Sequence, residues 1–159
     1  MTWLKTIPME EESGRTVLLT LISEAEEMRK VQLSVTRKIR DLSRREFYAK
    51  NFDLLKTIPG IGLITGMSFL TEIEDINRFS SIDHFAGYTG LIPSCHSSGE
   101  KENNGDITSR ANNILRDMIV ESAWTAARKD PALHMAFCKL CKRMEPNKAI
   151  IRIARKIVE

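Results

Sequence analysis

The sequence predicts an all-α protein: a long N-terminal coiled-coil helix followed by a compact multi-helix domain with a helix-hairpin-helix-like turn. Three observations predict it. Aromatic residues are 6% of the 159, while Leu, Ile, Met, Ala, Glu, Lys and Arg are abundant, a composition that favours helix over sheet. Apolar residues recur in steps of three and four from Leu18 to Leu42, the repeat of a coiled-coil seam. No stretch alternates convincingly as a strand, and no internal repeat or low-complexity tract is present.

The totals bound the rest. At 42% hydrophobic the chain can bury one core, with an appendage beside it. A net charge of +3 allows a polyanionic partner without requiring one. The apolar run from Ile58 to Leu70 is too short to cross a bilayer and contains helix breakers. The start, MTWLKTIPMEEE, lacks a signal-peptide core. A cytoplasmic protein with no membrane partner is therefore expected. Cys95, Cys138 and Cys141 are odd in number and not spaced like a secreted scaffold, which fits a reducing compartment.

Residues 1–12 read as a tail, because Ile7-Pro8 opposes helix. Ser13 is a plausible N-cap, and from there to Lys50 there is no proline and no glycine after Gly14. One continuous helix over 13–50 is expected. Its seam is Leu18, Leu21, Ala25, Met28, Gln32, Val35, Ile39 and Leu42, with Gln32 setting register and Glu46 ending the series. Nothing else in the chain is long enough to cover this stripe. A homodimer or higher assembly through residues 18–46 follows, and residues 51–159 form the compact domain.

Within that domain, LLKTIPGIG is a helix end and a tight turn. Pro59 pushes Ile58 out of the α region, so the first helix stops near Thr57. Gly60 and Gly62 permit positive φ and leave the backbone bare. The helix LITGMSFLTEI that follows starts with N–H groups that suit a phosphate. The turn resembles that of helix-hairpin-helix modules; a close-packed helix corner explains the glycines equally well. Ser80 or Ser81 then caps a short helix that Gly90 and Pro93 end. A long polar loop runs from Ser94 to Asp106. Thr108 or Ser109 caps a strong helix to about Lys129, Asp130-Pro131 opens another, and Ala149 to Val158 is a last, basic helix.

Chemistry has few places to sit. His134, Cys138 and Cys141 share a helix face, but zinc sites built on Cys-x-x-Cys place that pair in a turn. A buried thiol face is expected, and no metal. Cys95-His96 in the loop could supply a fourth ligand only if that grouping held a cation. Glu72, Glu74 and Asp75 lie within four residues on one helix end and do not converge on a point. The loop offers Ser97-Ser98-Gly99 and Lys101, with Arg110 and Arg116 on the next helix. Arginines and a helix N-terminus stabilise charge developing on a phosphodiester. A serine nucleophile also needs a proton acceptor, and none is evident, so taken alone the loop reads as flexible rather than catalytic.

The order LLKTIPGIG, NRFSSIDHFAGYTGLIP, SSGE, ITSRANNILRDMIVESAW and ARKDP, closed by a basic helix, resembles the C-terminal half of a prokaryotic insertion-sequence transposase family. It is the family named for elements one-hundred-and-ten, one-hundred-and-sixteen and nine-hundred-and-two, related to the Piv DNA invertase. The resemblance covers about residues 52–158. It implies a domain that acts on DNA in transposition and recombination in a prokaryotic cytoplasm, guided in some members by a structured RNA. It implies a nucleophilic serine that links transiently to DNA. The family's Ser-Gly pair falls on Ser98-Gly99, with Ser97 the alternative to Ser98. Gly60, Gly62, Gly99, Lys101, Arg110, Asn112 and Arg116 become the candidate nucleic-acid contacts. Ala111 stands where the family usually has glycine. The resemblance also implies a preceding ribonuclease-H-like domain whose DEDD acids bind Mg2+. Nothing ahead of residue 13 could hold it, so this chain is expected to carry no cofactor of its own. The expectation is an excised piece or a truncated reading frame, inactive alone.

Overall fold

A computed structural model describes residues 2–98, 101–108 and 111–159, with the backbone alone at 2, 93–98 and 101–107. Seven α-helices are present among the described residues: α1 (Glu12–Ser43), α2 (Glu46–Leu55), α3 (Leu63–Ile73), α4 (Ile82–Tyr88), α5 (Asn113–Lys129), α6 (Pro131–Cys141) and α7 (Pro146–Val158). The all-α expectation holds for the core. Between α4 and α5 stands one antiparallel hairpin, β1 (Pro93–Ser98) and β2 (Lys101–Ile107). That corrects the long polar loop read from the sequence. Neither strand carries the apolar alternation by which a half-buried strand is recognised.

The chain divides into two compact units, Met1–Leu42 and Ser43–Glu159. In the first, the segment read as a tail forms a 3-10 turn over Thr2–Thr6. Lys5 Nζ meets Glu26 Oε1 on α1 at 2.8 Å, and the Met9 side chain lies against Gly14. The lysine's hydrogen bond and charge hold the Glu26 carboxyl below the usual range. Along α1, Ile22 is buried. The seam divides by column: Leu18, Ala25, Ile39 and Leu42 are half-buried, while Leu21, Met28, Gln32 and Val35 are exposed.

The single helix expected over 13–50 is two. The chain leaves helical geometry at Arg44-Arg45, and Arg45 is the extended N-cap of α2 (φ −69°, ψ 145°). The cause lies in the apolar phase. The α1 stripe ends at Leu42, whereas Phe52 of α2 is buried against Gly66 of α3.

In the second unit α5 is central. Leu115, Ile119, Ala123 and Ala127 are buried with Phe69 of α3, Phe85 of α4, Leu91, and Ile150, Ile153 and Ala154 of α7. The small residues Ser122, Ala123, Ala126 and Ala127 make one face of α5 thin. Neighbouring backbones can therefore approach closely without voids. Trp124 packs edge-on to Phe137 of α6, with ring centroids 5.5 Å apart. Asp130 caps α6 by accepting from the Leu133 N–H, and Pro131 occupies the first helical position. Ser81 caps α4 by accepting from His84 N–H. The α5 boundary moves inward from expectation: its N-cap is Asn112, not Thr108 or Ser109.

Candidate nucleic-acid interface at the hairpin base

The turn between α2 and α3 separates its two glycines. Gly60 has φ +98°, and a Cβ there would overlap the Ser122 carbonyl of α5. Ser122 Oγ lies 2.8 Å from Met118 O and 3.2 Å from Gly60 O, so its one hydroxyl proton is shared between the two carbonyls. Gly60 is thus a contact point between a turn and a helix, fixed by backbone proximity. Gly62 is different. It is exposed, extended at φ −101°, and has open space where a Cβ would go. It stands as the N-cap of α3 without any side-chain cap, leaving the N–H groups of the first turn without intrahelical partners.

The second cluster joins α3, α4 and the start of α5. Asn112 Oδ1 accepts from Leu115 N–H at 3.1 Å. Its Nδ2 donates to Glu72 Oε2 at 2.9 Å and reaches Tyr88 Oη at 3.4 Å. Its backbone N–H donates to Tyr88 O at 2.9 Å. Asn112, a candidate contact, therefore has both ends of its amide engaged inside the protein. Arg78 Nη2 donates to Glu72 O at 3.2 Å, and its guanidinium lies 4.7 Å from the Phe79 ring and 4.9 Å from Tyr88. Arg116 Nη1 donates to Thr108 O at 2.9 Å. The same Nη1 and the Cδ of Arg116 border Gly90, where φ is +69° and a Cβ would overlap Ala111. Gly90 and Ala111 thus meet where one of the two must be small.

These bonds fasten the two ends of the hairpin. Thr108 N–H donates to Ile92 O at 3.3 Å, and above that Pro93 pairs with Ile107. A register irregularity follows between Pro93 and Cys95, and the ladder then runs to Ser97↔Glu102 and Ser98↔Lys101. Ser98 and Lys101 are the last pair, with Gly99 and Glu100 between them in sequence. For Ser97, Ser98 and Lys101 only the backbone is described; Gly99 and Arg110 lie outside the described residues.

Sequence reasoning did not join Glu72 and Tyr88 to Asn112, the candidate nucleic-acid contact that caps α5. Glu72 lies forty residues from Asn112, and no periodicity links residues so far apart. Asn112 itself was a legible signal, since asparagine is a leading N-cap residue. Glu72, Glu74 and Asp75 go separate ways: Glu72 to Asn112, Asp75 to Asn77 N–H, and Glu74 to a positive φ of 54°. Among the described residues no three side chains are grouped to hold a metal ion. The thiol face is not buried as expected: Cys138 is exposed and Cys141 half-buried.

No helix among the described residues is long and apolar enough to cross a membrane. The sequence model of the Transposase IS116/IS110/IS902 family matches residues 52–138. The chain is 30% identical over 106 residues to the transposase for insertion sequence element IS1111A of Coxiella burnetii, covering 64% of the chain and 29% of that protein. It is 28% identical over 104 residues to the IS110 43.6 kDa protein of Streptomyces coelicolor, covering 65% of the chain and 26% of that protein. It is 35% identical over 111 residues to the pilin gene-inverting protein of Moraxella bovis, covering 66% of the chain and 34% of that protein. The chain spans about a third or less of the length of these relatives. The family match runs from Phe52 through the α2–α3 turn, the Glu72–Tyr88–Asn112 cluster and the hairpin into α6, more than half of the residues, and on that ground the chain belongs to the Transposase IS116/IS110/IS902 family.

Proposed function

We propose that this chain is the DNA-binding, serine-bearing part of a transposase or site-specific recombinase, incomplete without an N-terminal ribonuclease-H-like domain. The observation that carries the reading is the pairing of Ser98 with Lys101 at the end of a hairpin whose base is tied to the α5 N-terminus. In this reading Ser98 Oγ attacks the phosphorus of a DNA phosphodiester. A serine–phosphate ester forms, the bond to one ester oxygen breaks, and that oxygen takes a proton as a free hydroxyl. Arg110 or Arg116 supplies positive charge near the developing oxyanion. Mg2+ belongs to the preceding domain, and a structured guide RNA is a further partner. Leu21, Met28 and Val35, all exposed on α1, belong to the dimer seam. Their spacing of seven and seven suits a coiled coil.

The test is Ser98→Ala in the full-length enzyme. Recombination and the covalent protein–DNA adduct should both disappear while DNA binding persists. If the adduct survives in Ser98→Ala and vanishes in Ser97→Ala, the nucleophile is Ser97.

A second reading has its own observation. The exposed, uncapped Gly62 at the start of α3 suits a non-catalytic helix-hairpin-helix module that grips a phosphate backbone. Such a module binds with a steep salt dependence and forms no covalent adduct under any condition.

A further inference from the structure

The α5–α6 corner holds a pair of side chains that the nucleic-acid reading does not use. His134 Nδ1 lies 2.9 Å from the Ala127 carbonyl oxygen. A carbonyl only accepts, so Nδ1 carries the proton and a neutral ring presents the Nε2 lone pair. That nitrogen faces Cys138 Sγ at 3.5 Å, one helical turn on. Both residues are exposed. The contact is at present a thiol donating to an imidazole.

We propose that His134 and Cys138 form a bidentate site for a soft divalent cation of the zinc or cadmium class. The first support is the distance. Zinc bonds of roughly 2.0–2.1 Å to nitrogen and 2.3 Å to sulfur at a tetrahedral angle put the two ligand atoms about 3.5 Å apart. The cation would take the place of the shared proton without moving either side chain far. The second is the backbone: a ligating imidazole usually donates its other N–H to a carbonyl or carboxylate, which fixes tautomer and ring orientation. Ala127 already does this. The third is donor chemistry, since an imidazole with a thiolate selects zinc and its soft relatives over Mg2+. On binding, the thiol proton leaves to solvent, the Nδ1 proton stays on the ring and keeps its bond to the Ala127 carbonyl, and water fills the open positions. The site differs from the Cys-x-x-Cys pairing weighed from the sequence, because Cys141 is not needed. Both ligands lie on α6, and the bond from His134 Nδ1 to the Ala127 carbonyl links the imidazole to the end of α5.

The test uses a Cys95→Ser/Cys141→Ser background, in which Cys138 is the only thiol. Titration with Cd2+ should raise a sulfur-to-metal charge-transfer band saturating at one cation per chain, with one proton released per cation. His134→Gln in that background should weaken the titration severalfold or more while the far-ultraviolet circular dichroism is unchanged. An unchanged Cd2+ titration in His134→Gln, or the absence of a saturable band, overturns the proposal. The unsubstituted chain gives an independent reading. Zinc should shift the His134 Nε2 resonance and leave the Nδ1 proton in place; a ring that ignores zinc overturns the proposal as well.

Discussion

Gly60 and Gly62 are two residues apart and do opposite things. Gly60 sits at positive φ where an added Cβ would overlap the Ser122 carbonyl. Gly60→Ala adds both backbone strain and overlap and should cost about 2 kcal/mol or more. Gly62→Ala meets nothing and should change stability by less than about 0.5 kcal/mol. Thermal unfolding of the two variants separates them. If Gly62→Ala also weakens DNA binding, the bare N-terminus of α3 is a phosphate contact. Asn112 makes a second residue-scale prediction. Asn112→Ala removes the α5 cap and should cost about 1 kcal/mol, with a further loss from the polar groups left at Glu72 and Tyr88. Asn112→Asp keeps a cap acceptor but sets a carboxylate against Glu72. Like charges raise one carboxyl's pKa in the folded state. That group's penalty is present at neutral pH and vanishes as pH falls through its raised value. The melting temperature of Asn112→Asp should therefore rise relative to the parent as pH is lowered from 7 toward 5.

At the scale of elements, α1 and the hairpin show where pattern reading works and where it stops. The three-and-four periodicity located α1 closely, because the stripe is long and propensity agrees with it. It did not foresee the break at Arg44-Arg45, since both residues are good helix formers and the end is set by where Phe52 packs. Nor did it foresee the hairpin, whose polar strands carry no periodic signal. Gly99 before Glu100, between two polar runs, was the one available cue, because glycine opens many two-residue hairpin turns. The exposed column of α1 predicts its own outcome. Met28 is 77% exposed and Leu21 57% exposed, so Leu21→Lys/Met28→Lys should leave the helix content of the chain intact. Sedimentation should find the parent as a dimer or higher assembly and the double variant as a monomer. A parent that sediments as a monomer at high concentration would refute the seam.

For the whole molecule, the chain covers about a third or less of its relatives, and in the proposed reading Mg2+ belongs to a preceding domain. The purified chain with Mg2+ and donor DNA should yield no strand transfer. It should still bind DNA, and the logarithm of affinity should fall linearly with the logarithm of salt concentration. Strand transfer by this chain alone, measured on a labelled duplex, would contradict the proposed division of labour between two domains.

The sequence by itself determined the helical class, the long N-terminal helix, the proline and glycine boundaries of the later helices, and the family. Each of these is written in local spacing or in motif order. Only the tertiary structure decided the roles at the α2–α3 turn and the hairpin base. It set Gly60 against Ser122 and left Gly62 open, made Asn112 the cap of α5, and joined Glu72, Tyr88 and Asn112 across as many as forty residues. The physical reason is the same in each case. A hydrogen bond or close contact between residues far apart in the chain depends on which helices pack together, and that follows from summed core burial rather than from any local run of residues.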